Sequence, residues 1–62
     1  MKRFDLLQLL RRQGCERIRE GRRHSWWRDS KGERRSAIPR HREIDNSLAR
    51  KICKDLGVEL LK

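Results

Sequence analysis

Tyrosine is missing from this 62-residue chain, and phenylalanine and proline occur once each. No apolar run approaches the roughly 20 residues that a membrane-spanning helix needs. The start, Met1-Lys2-Arg3-Phe4-Asp5-Leu6-Leu7, is positive like a signal peptide. Charges and Gln8 interrupt its apolar stretch and no small-residue cleavage site follows, so a cytoplasmic chain with no membrane partner is expected. Cysteine is equally sparse. Cys15 and Cys53 have no second cysteine near either, which fits neither a disulfide framework nor a CxxC redox or zinc pair, and both read as reduced packing residues. The two histidines and two cysteines show none of the short ligand spacings of a metal site, so neither a metal nor another cofactor is expected.

Size sets a further bound. A chain this short buries only about 60% of the surface its unfolded form exposes, so its core is a single shallow layer contact and a deep catalytic cleft is excluded. With 44% charged and 34% hydrophobic residues and a mean hydropathy of -1.11, composition alone leans toward disorder. Three well-spaced apolar segments survive, enough for one small domain over 1–62.

What the chain has in excess is positive charge: 18 Lys+Arg against 9 Asp+Glu, a net of +9. From Arg17 to Arg42 stand ten basic residues and three acidic ones, which is +7 of that total. The ten are Arg17, Arg19, Arg22, Arg23, Arg28, Lys31, Arg34, Arg35, Arg40 and Arg42. The planar fork of arginine matches phosphate better than a lysine point charge does, so phosphate is the leading partner of this segment and nucleic acid its leading source. Membrane-surface binding fits less well, because the basic segment has no helical apolar stripe to insert.

Phe4, Leu6, Leu7, Leu9 and Leu10 recur at helical spacing around Asp5, a residue type that caps helices, and Gly14 supplies a stop. Cys15 to Glu20 places Ile18 among alternating charges, Gly21 interrupts, and His24-Ser25-Trp26-Trp27-Arg28 reads as a second strand. Asp29-Ser30-Lys31-Gly32 is a hairpin turn by composition, and a third run from Glu33 to Ile38 ends at Pro39. After a connector, Arg40 to Ile44, Asp45 or Asn46 can cap a helix carrying Leu48, Ile52 and Leu56, which Gly57 ends. The expected fold is α+β in the order α-β-β-β-α, a three-stranded antiparallel sheet with both helices on one face. Its expected core is Leu7, Leu10, Ile18, Ile38, Leu48, Ile52 and Leu56.

Neighbouring side chains of a strand point to opposite faces, so one of Trp26 and Trp27 packs under the helices and the other lies outward, able to stack on a nucleobase. The spacing does not say which. Each histidine stands among arginines, His24 after Arg22-Arg23 and His41 between Arg40 and Arg42. His24 opens a strand after a glycine turn, where rigid backbone holds its ring and leaves it open to a phosphate. An imidazole there is suited to proton transfer near neutral pH.

Taken together, Gly21-Arg22-Arg23-His24-Ser25, Ile38-Pro39-Arg40-His41 and the final Asp45-Asn46-Ser47-Leu48-Ala49-Arg50-Lys51-Ile52-Cys53-Lys54-Asp55-Leu56-Gly57 resemble the HicA toxins of bacterial type II toxin–antitoxin systems. The resemblance runs from Phe4 to about Val58. It implies a small mRNA interferase with a fold like the double-stranded-RNA-binding domain, a catalytic histidine at His24, and an acidic cognate antitoxin of the HicB type. The family's Pro-x-His segment matches Pro39-Arg40-His41, while Arg22 and Arg23 stand where many members carry small polar residues. The expected activity is metal-independent RNA cleavage with His24 as general acid or base. RNA would be held by Arg22, Arg23, Arg28, Lys31, Arg34, Arg35, Arg40, His41 and Arg42. A non-catalytic RNA-binding module of the same fold is the alternative, and a DNA-binding domain is a weaker third, since no helix is basic on one face.

Overall fold

The computed structural model describes residues 1–59. Helix α1 (Arg3–Arg12) leads into strands β1 (Glu16–Glu20), β2 (His24–Arg28) and β3 (Arg35–Pro39), and helix α2 (Asn46–Asp55) follows. The strands form one antiparallel sheet in the order β1-β2-β3, so the expected α-β-β-β-α fold stands.

The helices owe their place to one apolar stripe each. Ala49, Ile52, Cys53 and Leu56 fall three to four residues apart along α2 and its end, and Leu6, Leu7 and Leu10 do the same on α1. Both stripes press on the same face of the sheet, where Trp27 of β2 and Ile38 of β3 are buried, and Cys15 and Ile44 close the cluster from the connections. Full burial of one such side chain stabilises by about 1.5–3 kcal/mol, so this single cluster carries the fold. Burial raises the Cys15 thiol above its ordinary pKa, with smaller contributions from Asp29 and Cys53, and burial raises Cys53 as well. Both cysteines are free. The Arg11 guanidinium lies 5.4 Å from the centre of the Trp27 ring and covers it as a cation–π partner.

Turn chemistry fixes the β2–β3 hairpin. Gly32 sits at φ 73°, the left-handed region that favours glycine, and its N–H donates to the Asp29 carbonyl at 3.1 Å. The Asp29 carboxylate accepts from the backbone N–H of Glu33 at 2.8 Å and of Arg34 at 3.2 Å. At the other end of the sheet the chain start ties down the connector before α2. Arg3 N–H donates to the Arg42 carbonyl at 2.8 Å, and Ile44 N–H to the Met1 carbonyl at 2.7 Å.

Three expectations need correction. Ile18 is 47% exposed instead of core: all five residues of the edge strand β1 are exposed, and a bulge between Arg17 and Arg19 leaves Ile18 without a partner on β2. Leu48 is only half-buried, since the α2 stripe runs through Ala49, Ile52 and Cys53 beside it. Asp5 does not cap α1: the helix starts at Arg3, and Asp5 lies in its first turn, where a negative charge suits the helix dipole.

Candidate functional site

Alternation along β2 decides the question the sequence left open. Ser25 and Trp27 are buried under the helices, and His24, Trp26 and Arg28 face outward. Trp26 is 42% exposed, large for a tryptophan. Residues opposite each other in an antiparallel pair share a face, so the outer surface is read directly from the register. His24 lies opposite Pro39, Trp26 opposite Ala37 on β3 and Arg19 on β1, and Arg28 opposite Arg35 and Glu16. Arg28 is engaged, its guanidinium donating to Glu16 at 2.7 Å.

At the His24 end of the sheet, Arg23, His24, Arg40 and His41 line one open hollow of about 460 Å³. Strand pairing builds it. His24 is held opposite Pro39, and the ladder continues past the strand ends through the Arg40 N–H, which donates to the Arg23 carbonyl at 3.1 Å. That bond lays the segment after β3 beside the turn before β2, and the two histidines, 17 positions apart in sequence, come to border the same space. Both are exposed.

Beneath the hollow runs a polar chain that sequence inspection does not reveal. Ser25, fully buried, donates its hydroxyl to Glu20 at 2.6 Å and accepts from the Arg3 guanidinium at 2.7 Å. Arg3 also donates to the Pro39 carbonyl at 2.9 Å. The second Glu20 oxygen pairs with Arg40 at 3.1 Å, and Arg40 reaches the Gly21 carbonyl at 3.4 Å. The Ser25 hydroxyl, with Arg40, Arg17 and Arg3 behind it, holds the Glu20 carboxyl below its ordinary pKa. Arg40 is thus tied through Glu20 of β1 to Ser25 of β2, and through Ser25 to Arg3 of α1. The contacts of Arg3, Glu20 and Ser25 span up to 36 positions of sequence, so no local pattern could have joined them.

The structure splits the predicted phosphate-binding set. Arg23, Arg40 and His41 join His24, while Arg28 and Arg35 lie on the same outer face farther along the strands. Arg22 is exposed in the β1–β2 turn without lining the hollow. Lys31 and Arg34 line a depression with Gln13, Leu56 and Gly57 at the hairpin end. That is the opposite end of a five-residue strand, about 13 Å from His24 at the usual rise per residue. Arg42 lines a second hollow with Arg3, Phe4 and Leu7, and Arg40 borders both.

These features define a class: a small basic α+β domain with helices on one sheet face, an open second face, and a histidine–arginine hollow at one end of the sheet. The family model for the HicA toxin of bacterial toxin–antitoxin systems matches residues 4–58, and the chain belongs to that family. It is therefore a toxin of the toxin–antitoxin type, and membership implies an antitoxin partner. Comparison with curated proteins and with solved structures finds no match. Among the described residues, no helix is long and apolar enough to cross a membrane.

Proposed function

We propose that this toxin is a metal-independent endoribonuclease that cleaves mRNA through His24 and is held in check by an acidic antitoxin of the HicB type. The observation that carries the reading is the shared hollow, where an exposed imidazole stands beside Arg23 and Arg40 at the end of an open basic sheet face. Ribonucleic acid brings its own nucleophile. The 2′-hydroxyl attacks the adjacent phosphorus, the bond to the 5′-oxygen breaks, and a 2′,3′-cyclic phosphate and a 5′-hydroxyl result. The protein has to move protons and stabilise the charge that builds on the phosphoryl oxygens.

His24 takes the proton of the 2′-hydroxyl. Arg23 faces the phosphoryl oxygens, and Arg40, fixed by Glu20 and the Gly21 carbonyl, gives the hollow a rigid positive wall. Trp26, two residues along the same face, offers a stacking surface to a neighbouring base, and Arg35 meets the backbone beyond it. The net charge of +9 makes an acidic antitoxin that covers this face the simplest inhibitor, one that associates fast at low salt and competes with RNA.

The test is cleavage of a defined RNA by the purified chain and by His24→Ala. Proton transfer by a positioned side chain contributes about 10²–10⁴-fold, so the variant is expected to lose that much rate while keeping its fold and most of its RNA affinity. RNA binding with no cleavage by the parent would make the chain a binding module instead.

A further inference from the structure

We propose that His41 is the general acid of this cleavage, giving its proton to the departing 5′-oxygen as His24 removes the one on the 2′-hydroxyl; the inference rests on the reading of His24 above. In sequence His41 stands in a connector between two arginines and reads as a phosphate-binding residue. The structure gives it a different setting. Among the described residues, Arg23, His24, Arg40 and His41 line the hollow, so His41 is its second imidazole.

The chemistry needs such a group. In phosphoryl transfer the attacking and leaving oxygens stand roughly in line on opposite sides of the phosphorus. One imidazole cannot serve both, and an unprotonated alkoxide is a poor leaving group. Two imidazoles that line one hollow supply the two proton-transferring groups that this requires. As the bond from O2′ to phosphorus forms, the O2′ proton passes to His24. As the bond from phosphorus to O5′ breaks, its electron pair takes the proton of the His41 imidazolium. The enzyme is left with His24 protonated and His41 neutral, and exchange with water through the open side restores both.

The backbone supports this placement. Pro39 is paired opposite His24, and the Arg40 N–H bonded to the Arg23 carbonyl at 3.1 Å carries the pairing one step further, so His41 leaves the sheet beside the turn that delivers His24. Arg40, between Pro39 and His41, is anchored through its guanidinium to Glu20 and the Gly21 carbonyl. On the other side of His41 the Arg42 carbonyl accepts from the Arg3 N–H at 2.8 Å, so the backbone is held on both flanks of the residue.

A change of leaving group separates an acid from a binding residue. The parent, His41→Ala, His41→Asn and His24→Ala, each verified as folded by circular dichroism, are assayed on an RNA oligonucleotide and on a ribonucleoside 3′-(4-nitrophenyl phosphate), whose nitrophenoxide departs without a proton. Both His41 variants are expected to lose about 10²–10⁴-fold on the oligonucleotide and less than about tenfold on the activated ester. His24→Ala is expected to lose rate on both substrates. Equal losses on both substrates for the His41 variants would make His41 a positioning or binding residue and overturn the proposal, as would an unaltered rate on the oligonucleotide. No cleavage of either substrate by the parent would instead overturn the reading of His24.

Discussion

Ser25→Ala removes one buried hydroxyl and with it the junction of the polar chain under the hollow. The Arg3 guanidinium loses its acceptor at 2.7 Å, and Glu20 loses its donor at 2.6 Å. Only the Arg3 bond is counted toward stability, because Glu20 is open to solvent and water replaces the lost hydroxyl there. A hydrogen bond to a charged group contributes about 1.5–3 kcal/mol. A domain of 62 residues has roughly 3–9 kcal/mol in total at typical stabilities per residue. The loss is therefore a large share of the whole, and at about 4–8 °C per kcal/mol it lowers Tm by roughly 6–24 °C. Thermal melts by circular dichroism at neutral pH measure it. The same substitution frees Glu20 and loosens its hold on Arg40, so RNA cleavage well below the lowered Tm is expected to fall while the overall fold persists. A melt within about 2 °C of the parent, together with parental activity, would refute the reasoning and leave the polar chain without a structural role.

Further outcomes are expected from the split of the basic residues and from the outward tryptophan. Arg35→Glu reverses a charge on the outer face and should flatten the dependence of RNA affinity on salt concentration, whereas Arg34→Glu, at the hairpin end beside Gly57, should leave the slope near the parental one; equal slopes for both would place the RNA elsewhere. Trp26→Ala should weaken binding of single-stranded RNA by about 1–3 kcal/mol in equilibrium titrations with little change in Tm, and an unchanged affinity would remove the stacking surface from the account. Glu20 titrates below its ordinary value in the folded chain, chiefly because of the Ser25 hydroxyl, so its stabilising effect is complete above the unfolded carboxylate range and is lost as pH falls through the lowered folded value. The Tm difference between the parent and Glu20→Gln should accordingly be largest at neutral pH and shrink toward pH 3; a difference independent of pH would contradict this.

The element order was legible because each helix carries its apolar residues at helical spacing and each turn carries its own residue chemistry, Gly32 at positive φ being the plainest case. Ile18 departs from the expectation because the helices cover none of the edge strand β1, whose five residues are all exposed, and nothing in Arg17-Ile18-Arg19 marks the bulge there. The phase of β2 was undecidable in Ser25-Trp26-Trp27 for the same reason that either tryptophan could lie inward. Ile44 lies in a connector by sequence, and the pairing of the chain start with that connector brings it into the core cluster. His24 stood out by its turn and its arginines. His41 reads in sequence as an RNA-holding residue, and its place beside His24 was not legible because their meeting depends on the His24–Pro39 register; the supporting Arg3, Glu20 and Ser25 are joined by contacts between distant elements.

The most direct test of the central claim is the chemistry of the RNA ends. Mass spectrometry of a defined oligonucleotide after incubation with the purified chain, in the presence of a metal chelator, is expected to find fragments ending in a 2′,3′-cyclic phosphate paired with fragments beginning in a 5′-hydroxyl, and His24→Ala should yield neither above background. Fragments ending in a 3′-hydroxyl and beginning in a 5′-phosphate, or cleavage by His24→Ala at the parental rate, would contradict an internal 2′-hydroxyl nucleophile activated by His24.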